Sequence, residues 1–263
     1  MCPDEVSGLI EKEREAFETL YPEASFQLVR GTSAEGIRRL FGADADLAVT
    51  TRDLSIDERA AAVRGKLGVD GYGFARDAIV VVVNPAVTVE NMTIEDVRRV
   101  YDARAKRWDA FGGPVTDIVP VVQKAGGDVT EAFVLQVMAG SPITANSVYA
   151  SNDSEVVAEV TSRPGAIGYV SLAWAERGAK TIRISGLAGL PYWKPDLEAV
   201  YDSDYPLTRP VSMVVRSTGH PLANGFVTFV SSHDGQQIVK ESGLVPTTVP
   251  VRFVRRSPMQ GDH

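Results

Sequence analysis

Three short polar segments of this chain combine hydroxyls, glycines and cations at spacings suited to holding an anion. The first, Gly31-Thr32-Ser33-Ala34-Glu35-Gly36, offers Thr32 and Ser33. The second, Thr50-Thr51-Arg52-Asp53, offers two hydroxyls and a guanidinium. The third lies within residues 117–140 (DIVPVVQKAGGDVTEAFVLQVMAG), where Lys124 precedes Ala125-Gly126-Gly127 and the run Asp128-Val129-Thr130 follows. A glycine turn that enters a helix leaves backbone N–H groups without intrahelical partners, and the helix dipole adds positive potential there. Such a turn is a ready anion cradle. By itself the third segment also reads as an ordinary βα loop, which is a common connection.

The chemistry on offer is binding rather than catalysis. No G-x-S-x-G elbow, Walker loop, H-E-x-x-H pair or complete dinucleotide glycine pattern occurs, so no nucleophile, metal site or cofactor is expected, and an enzyme is the lesser alternative. The single cysteine, Cys2, excludes an internal disulfide and a cysteine-based metal cluster. His220, His233 and His263, the three histidines, fall near turns or the terminus, where a surface role is expected. A net charge of -7 leaves no basic surplus for nucleic acid, although local anion sites remain compatible with it. No apolar run approaches the roughly 20 residues of a membrane span, and residues 1–18 carry no apolar core of a secretory signal.

The elements that must position these turns follow from periodicity. Val6, Leu9, Ile10, Phe17 and Leu20 predict an N-terminal helix, and residues 25–30 a strand alternating Phe26 and Leu28 with polar neighbours. Thr32 and Glu35 fit a capping box before a short helix carrying Ile37, Leu40 and Phe41. Residues 45–50 read as a buried strand, and residues 74–83 (FARDAIVVVV) as a central one ended by Asn84-Pro85. Within residues 117–140 the reading is strand, glycine turn, and a helix with Asp128 as N-cap and Phe133, Val134, Val137 and Met138 on one face. Ser151 and Asn152 start a further helix, residues 166–170 (AIGYV) are a strand, and residues 205–215 lead into another. Two helices follow, with Gly243 as a C-cap glycine, and residues 252–263 form a basic, fraying end. Alternating strands and helices imply an α/β fold with mainly parallel sheets, in which ligands sit beyond the carboxyl ends of strands. All three polar turns fall at that end.

The ordered set ADLAVTTRDLSIDE, AIVVVVNP, VENMTIEDVRRVYDARAKRWDAFGG, RPGAIGYVSLAWAE, YPLTRPV and FVTFVSSHDGQQIVKESGLVPT resembles the phosphate-binding substrate-binding proteins of ABC importers. The match runs nearly end to end. The resemblance implies a two-lobed periplasmic-binding-protein fold of type II, with residues 1–83 plus 208–263 in one lobe and 84–207 in the other. Asn84-Pro85 and Thr208-Arg209-Pro210 would be the two hinge crossings, and anion binding would close the lobes. It further implies capture of phosphate or a related small oxyanion, delivery to ABC transporter permease subunits, a monomer, an extracytoplasmic location and no cofactor. The implied ligand-binding set is Thr32, Ser33, Thr50, Thr51, Arg52, Lys124, Gly127, Asp128, Val129 and Thr130.

The chain departs from this family where charge matters. Lys124 stands at an arginine position, and Gly127-Asp128-Val129-Thr130 replaces a Gly-Ser-Gly-Thr turn. Lysine keeps the charge but loses the bidentate fork. Thr51 stands where the family often has an aspartate that accepts a ligand proton, and Asp128 is a candidate for that acceptor role. Thr50, Thr51 and Arg52 also read as caps of the next helix, and Ser151 and Asn152 as caps of theirs. Tyr169, Trp174, Tyr192 and Trp193 read as packing. The family's first strand and polar turn have only residues 1–4 to occupy here, so part of that strand is expected to be absent; a lipid-bearing Cys2 is the alternative. A degenerate binding protein, serving as a sensor or interaction module without phosphate, is the main rival function.

Overall fold

The computed structural model describes residues 1–247. The chain begins with β1 (Cys2–Pro3), α1 (Ser7–Leu20), β2 (Arg30–Gly31), α2 (Ser33–Phe41), β3 (Leu47–Thr50) and α3 (Ile56–Arg64). The long β4 (Val69–Val83) leads to β5 (Asn91–Thr93), α4 (Ile94–Tyr101), β6 (Val119–Gln123) and α5 (Asp128–Phe133). Then come β7 (Val148–Ala150), α6 (Asp153–Ser162), β8 (Ala166–Ser171), β9 (Lys180–Thr181), β10 (Arg183–Ser185) and α7 (Leu197–Tyr201). The chain returns through β11 (Thr208–Arg216), α8 (Pro221–Val230), α9 (His233–Glu241) and β12 (Val245–Pro246). The basic segment 252–263 lies outside the described residues.

The main sheet runs β3-β11-β4-β8-β6-β7. It is mixed. The expected parallel pairing occurs where β6 meets β7 and β8, and in the pairs β1–β2 and β5–β10. Strand β11 instead runs antiparallel to both β3 and β4, and β4 runs antiparallel to β8. The reason is connectivity: β11 carries the chain back to its first half alongside the outgoing β4, so it must run the opposite way.

At 15 residues, β4 is about 50 Å long at the usual rise per residue. Ala78 through Val83 are each 0% exposed, which explains an apolar run with no polar alternation. Residues 69–78 pair with β11, and residues 79–83 pair with β8. The partner change therefore falls at Ala78/Ile79. Asn84 is anchored well inside the second group, its N–H on Ala166 O and its side-chain amide on Val160 O and Thr161 O.

Several local expectations need correction. Residues 25–29 form no strand; only Arg30–Gly31 pair, with Cys2–Pro3. Phe26 is instead drawn into an aromatic cluster in which Phe17 contacts Phe26, Phe226 and Phe229 at centroid distances of 5.5 Å. The chain opens on the two-residue β1, which pairs with β2, and the backbone of Met1 bonds to Leu47 and Val49 of β3. The N-cap of α5 is Gly127, and Asp128 is its first helical residue. Beyond Phe133 that helix widens into a π turn over Val134–Met138 and ends with Ala139 and Gly140 at positive φ. The Thr32 cap is one-sided, with Thr32 Oγ1 accepting from Glu35 N, whereas Thr93 and Asp96 form the reciprocal box.

Arg209 and Asp77 sit directly opposite each other on β11 and β4, at the partner change. Nε and Nη2 of Arg209 donate to Asp77 Oδ2 at 2.9 and 2.6 Å. Asp77 Oδ1 accepts from Ala78 N, Leu172 N and Ser171 Oγ. One buried carboxylate thus ties β4, β11 and the end of β8 together. Burial works against the Arg209 charge, and Asp77 and Glu5 hold it protonated.

Two consequences are measurable. Replacing Arg209 by Met strands the buried Asp77, and urea denaturation is expected to show a loss of about 3–5 kcal/mol; a loss near zero would mean that Asp77 does not need its partner. Glu13, on the buried face of α1, is 0% exposed, and neither carboxylate oxygen has a hydrogen-bond partner among the described residues. Burial pushes its pKa from the usual 4.5 up to about 9. Between those values the folded chain keeps a proton that the unfolded chain releases, so stability falls as pH rises and the loss is complete above about 9. Glu13→Met should therefore raise stability at pH 8 by about 2 kcal/mol, or about 5 °C in Tm, and by less at pH 5. An equal gain at both pH values would refute the buried-carboxyl account.

Candidate functional site

The first two polar turns converge. Ser33 opens α2 and is 0% exposed, and its Oγ accepts from the backbone N–H of Thr51 at 3.0 Å. Thr51 Oγ1 accepts from Arg209 Nη1 at 3.2 Å and lies 3.4 Å from Glu5 Oε1, to which it donates. Glu5, in the turn between β1 and α1, completes the group with an ion pair to Arg209 Nη2 at 3.1 Å.

The third turn reaches the same place from the other side of the sheet. Asp128 is buried, and its Oδ2 accepts from the N–H of Ser33 at 2.8 Å. Instead of capping its own helix, this carboxylate occupies the orphan donor at the start of α2. Asp153, at the start of α6, accepts from Gln123 Nε2 at 2.7 Å and from Ser171 N at 3.1 Å.

The electrostatics of this floor are acidic. Burial pushes Glu5 up to about 7 against the pull of Arg209, with Asp128 and Asp153 adding to the rise. Asp153 is pushed up to about 6 by burial, opposed by its hydrogen bonds to Gln123 and Ser171. Asp128 is raised by burial and held back by its bonds to Ser33. Counting Asp77, four carboxylates share one buried guanidinium. Like charges brought this close in a dry site disfavour full ionisation. Above them opens a cleft of about 980 Å³, lined on its floor by Glu5, Thr32, Gly127, Asp128 and Asp153, with Lys124 at its edge.

The other expected site residues divide. Thr50 is buried within β3, opposite Ser212. Arg52 is committed elsewhere, with both terminal nitrogens 2.8 Å from Glu58, which also forms a capping box with Ser55 at the start of α3. Thr130 pairs with the buried Tyr169 at 3.2 Å, and Val129 is core. Lys124 is exposed. Ser151 and Asn152 act as caps, exchanging hydrogen bonds with Glu155. His220 caps α8 through Nδ1, and His233 is exposed. Tyr169 packs as expected, stacked on Phe133 at 4.0 Å.

Glu5, Asp77 and Asp153 did not stand out in the sequence, and Arg209 did so only as part of an implied hinge crossing. Arg209 had one usable signal: it sits between Thr208 and Pro210 in a run entering a strand, where an arginine pointing inward demands a buried acid. Glu5 had none, because it reads as one of many charges on a surface helix. No group of three or more His, Cys, Asp or Glu side chains among the described residues has a geometry that could hold a metal ion.

Comparison with known proteins places this geometry. Residues 5–234 match the family model described as PBP superfamily domain. The phosphate-binding protein PstS of Borreliella burgdorferi is 22% identical over 81% of this chain and 76% of its own length. That of Bacillus subtilis is 23% identical over 86% of this chain and 73% of its own. Among solved structures, a putative phosphate ABC transporter substrate-binding protein with bound phosphate from Clostridium perfringens superposes with a TM-score of 0.82 at 23% identity, covering 94% of this chain and 98% of that one. An ABC-type phosphate transport receptor from Vibrio cholerae gives 0.78 at 22% identity, covering 93% and 98%. Both likenesses establish the fold alone. The fold is that of a two-lobed α/β protein, and the chain belongs to the PBP superfamily domain family, with phosphate-binding PstS proteins among its relatives.

Proposed function

We propose that this protein is an extracytoplasmic solute-binding protein that captures a small oxyanion, phosphate foremost, between two lobes and presents it to an ABC importer without chemistry. The observation that supports the reading is the 2.8 Å hydrogen bond from Ser33 N to Asp128 Oδ2, in which a backbone donor at the start of α2 already holds a carboxylate beside the cleft. Ser33, Thr51 and Gly127 are the inner contacts in this reading, Thr32 and Lys124 the outer ones. Arg52 and Thr130 serve Glu58 and Tyr169 first. The lobes would divide near Asp77–Ala78 on β4 and near Thr208 at the start of β11. Among the described residues no helix is long and apolar enough to cross a membrane.

The acidity of the floor selects the form of the ligand. A bare dianion meets Glu5, Asp128 and Asp153, whereas a proton-bearing oxyanion can donate to one of them. A second reading draws on the same count of four carboxylates to one buried guanidinium: a binding protein that has lost phosphate and acts as a sensor or interaction module.

Isothermal calorimetry separates the two. Inorganic phosphate is expected to give a saturable one-site isotherm, with sulfate and acetate weaker; no heat from any of the three would leave the sensor reading standing. Lys124→Ala, removing an exposed charge, should weaken phosphate binding by no more than about fivefold. Complete loss of binding in that variant would move the site outward to Lys124.

A further inference from the structure

Asp128 is the feature that anion capture alone does not account for. It opens α5, yet its carboxylate leaves its own helix and crosses to α2, whose nine residues end at Phe41. The donor it meets, Ser33 N, is among those that an α-helix leaves free at its start, and the dipole makes it favour a negative partner. Residue 128 follows β6, on the β8 side of the main sheet, and residue 33 precedes β3, on the β11 side. The bond therefore spans the cleft.

The surroundings leave Asp128 with this one strong attachment. Glu5 faces it from the turn before α1, Arg209 from β11, Arg52 from the loop after β3, and Glu131 from its own helix. Both guanidiniums are engaged by other carboxylates, Arg209 with Asp77 and Glu5, and Arg52 with Glu58. Among the described residues no ion pair within 4.0 Å joins Asp128 to a cation. Its two nearby acids repel it. A buried carboxylate so placed is kept by the hydrogen bonds of Ser33, the position that an oxyanion ligand would need.

We propose that Asp128 is a tethered competitor: in the absence of ligand its carboxylate occupies the donor at the start of α2, latches the two sides of the cleft together, and must be displaced before an external oxyanion binds there. This rests on the oxyanion reading above for its ligand but not for its latch. Affinity for phosphate is then the difference between the external anion and the internal one, so the chain weakens its own site without losing it. Displacement also moves Asp128 into a cleft already acidic, which opposes ionised ligands further.

The test uses the full chain with Asp128→Ser, which removes the charge and the reach, and Asp128→Asn, which keeps the size and removes the charge. Circular dichroism and thermal melts establish that both variants fold. Calorimetry with inorganic phosphate at pH 8 and fixed ionic strength is expected to show affinity at least about tenfold tighter in Asp128→Ser than in the natural chain, with Asp128→Asn between them. Small-angle scattering without ligand is expected to show a larger radius of gyration in Asp128→Ser, reversed by phosphate. Equal or weaker phosphate affinity in both folded variants would overturn the competitor. An unchanged radius of gyration would overturn the latch. If no form of the protein binds phosphate, sulfate or acetate while the radius still grows in Asp128→Ser, the oxyanion reading and the competitor fall and the latch stands.

Discussion

The structure depends on one buried charge pair at the point where the sheet changes partners. Arg209 and Asp77 face each other across β11 and β4, and Asp77 also accepts from Ala78, Ser171 and Leu172. Every polar atom of that carboxylate is used. A buried ion pair is weak evidence for stability, because desolvation offsets most of its attraction, but it is strong evidence for specificity of position. Here it fixes the register of β11 on β4. It also directs the remaining guanidinium nitrogens toward Thr51 and Glu5, at the inner end of the cleft.

That placement decides the electrostatic character of the cleft. With Arg209 spent on Asp77 and Glu5, and the exposed Lys12, Arg30, Lys124 and Arg177 lining the cleft farther out, the positive potential at the buried floor comes from backbone N–H groups, chiefly the start of α2. Glu5, Asp128 and Asp153 surround it with carboxylates whose pKa values are all raised. On the proposed reading such a floor would favour ligands that carry a proton to give, and the N–H of Ser33 is already satisfied by an internal carboxylate.

The turns themselves were legible because they obey local rules. Thr93 with Asp96 and Ser55 with Glu58 form reciprocal boxes, and Asn152 accepts from Glu155 N, all within a few residues in sequence. The apolar run Ala78–Val83 could only be a strand covered on both faces. Local rules misled where a distant partner outbid a near one. Asp128 has the chemistry of an N-cap but bonds to a residue 95 positions away. Phe26 has the alternation of a strand residue but joins Phe17 and Phe226. Arg52 looked like a ligand for an anion and is held by Glu58 six residues on.

What the sequence alone determined was most of the helices, the longer strands, the α/β class, the resemblance to two-lobed binding proteins and the three polar turns. Each of these follows from periodicity, capping chemistry and residue order, which act over a few positions. Only the tertiary structure decided which hydroxyls face one another, that Glu5 and Arg209 join the buried cluster beside the cleft, and that Asp128 closes on Ser33. Those are consequences of register between β4 and β11 and of burial. A side chain's charge and partner in a dry cleft are set by groups far away in the chain, and no local pattern encodes them.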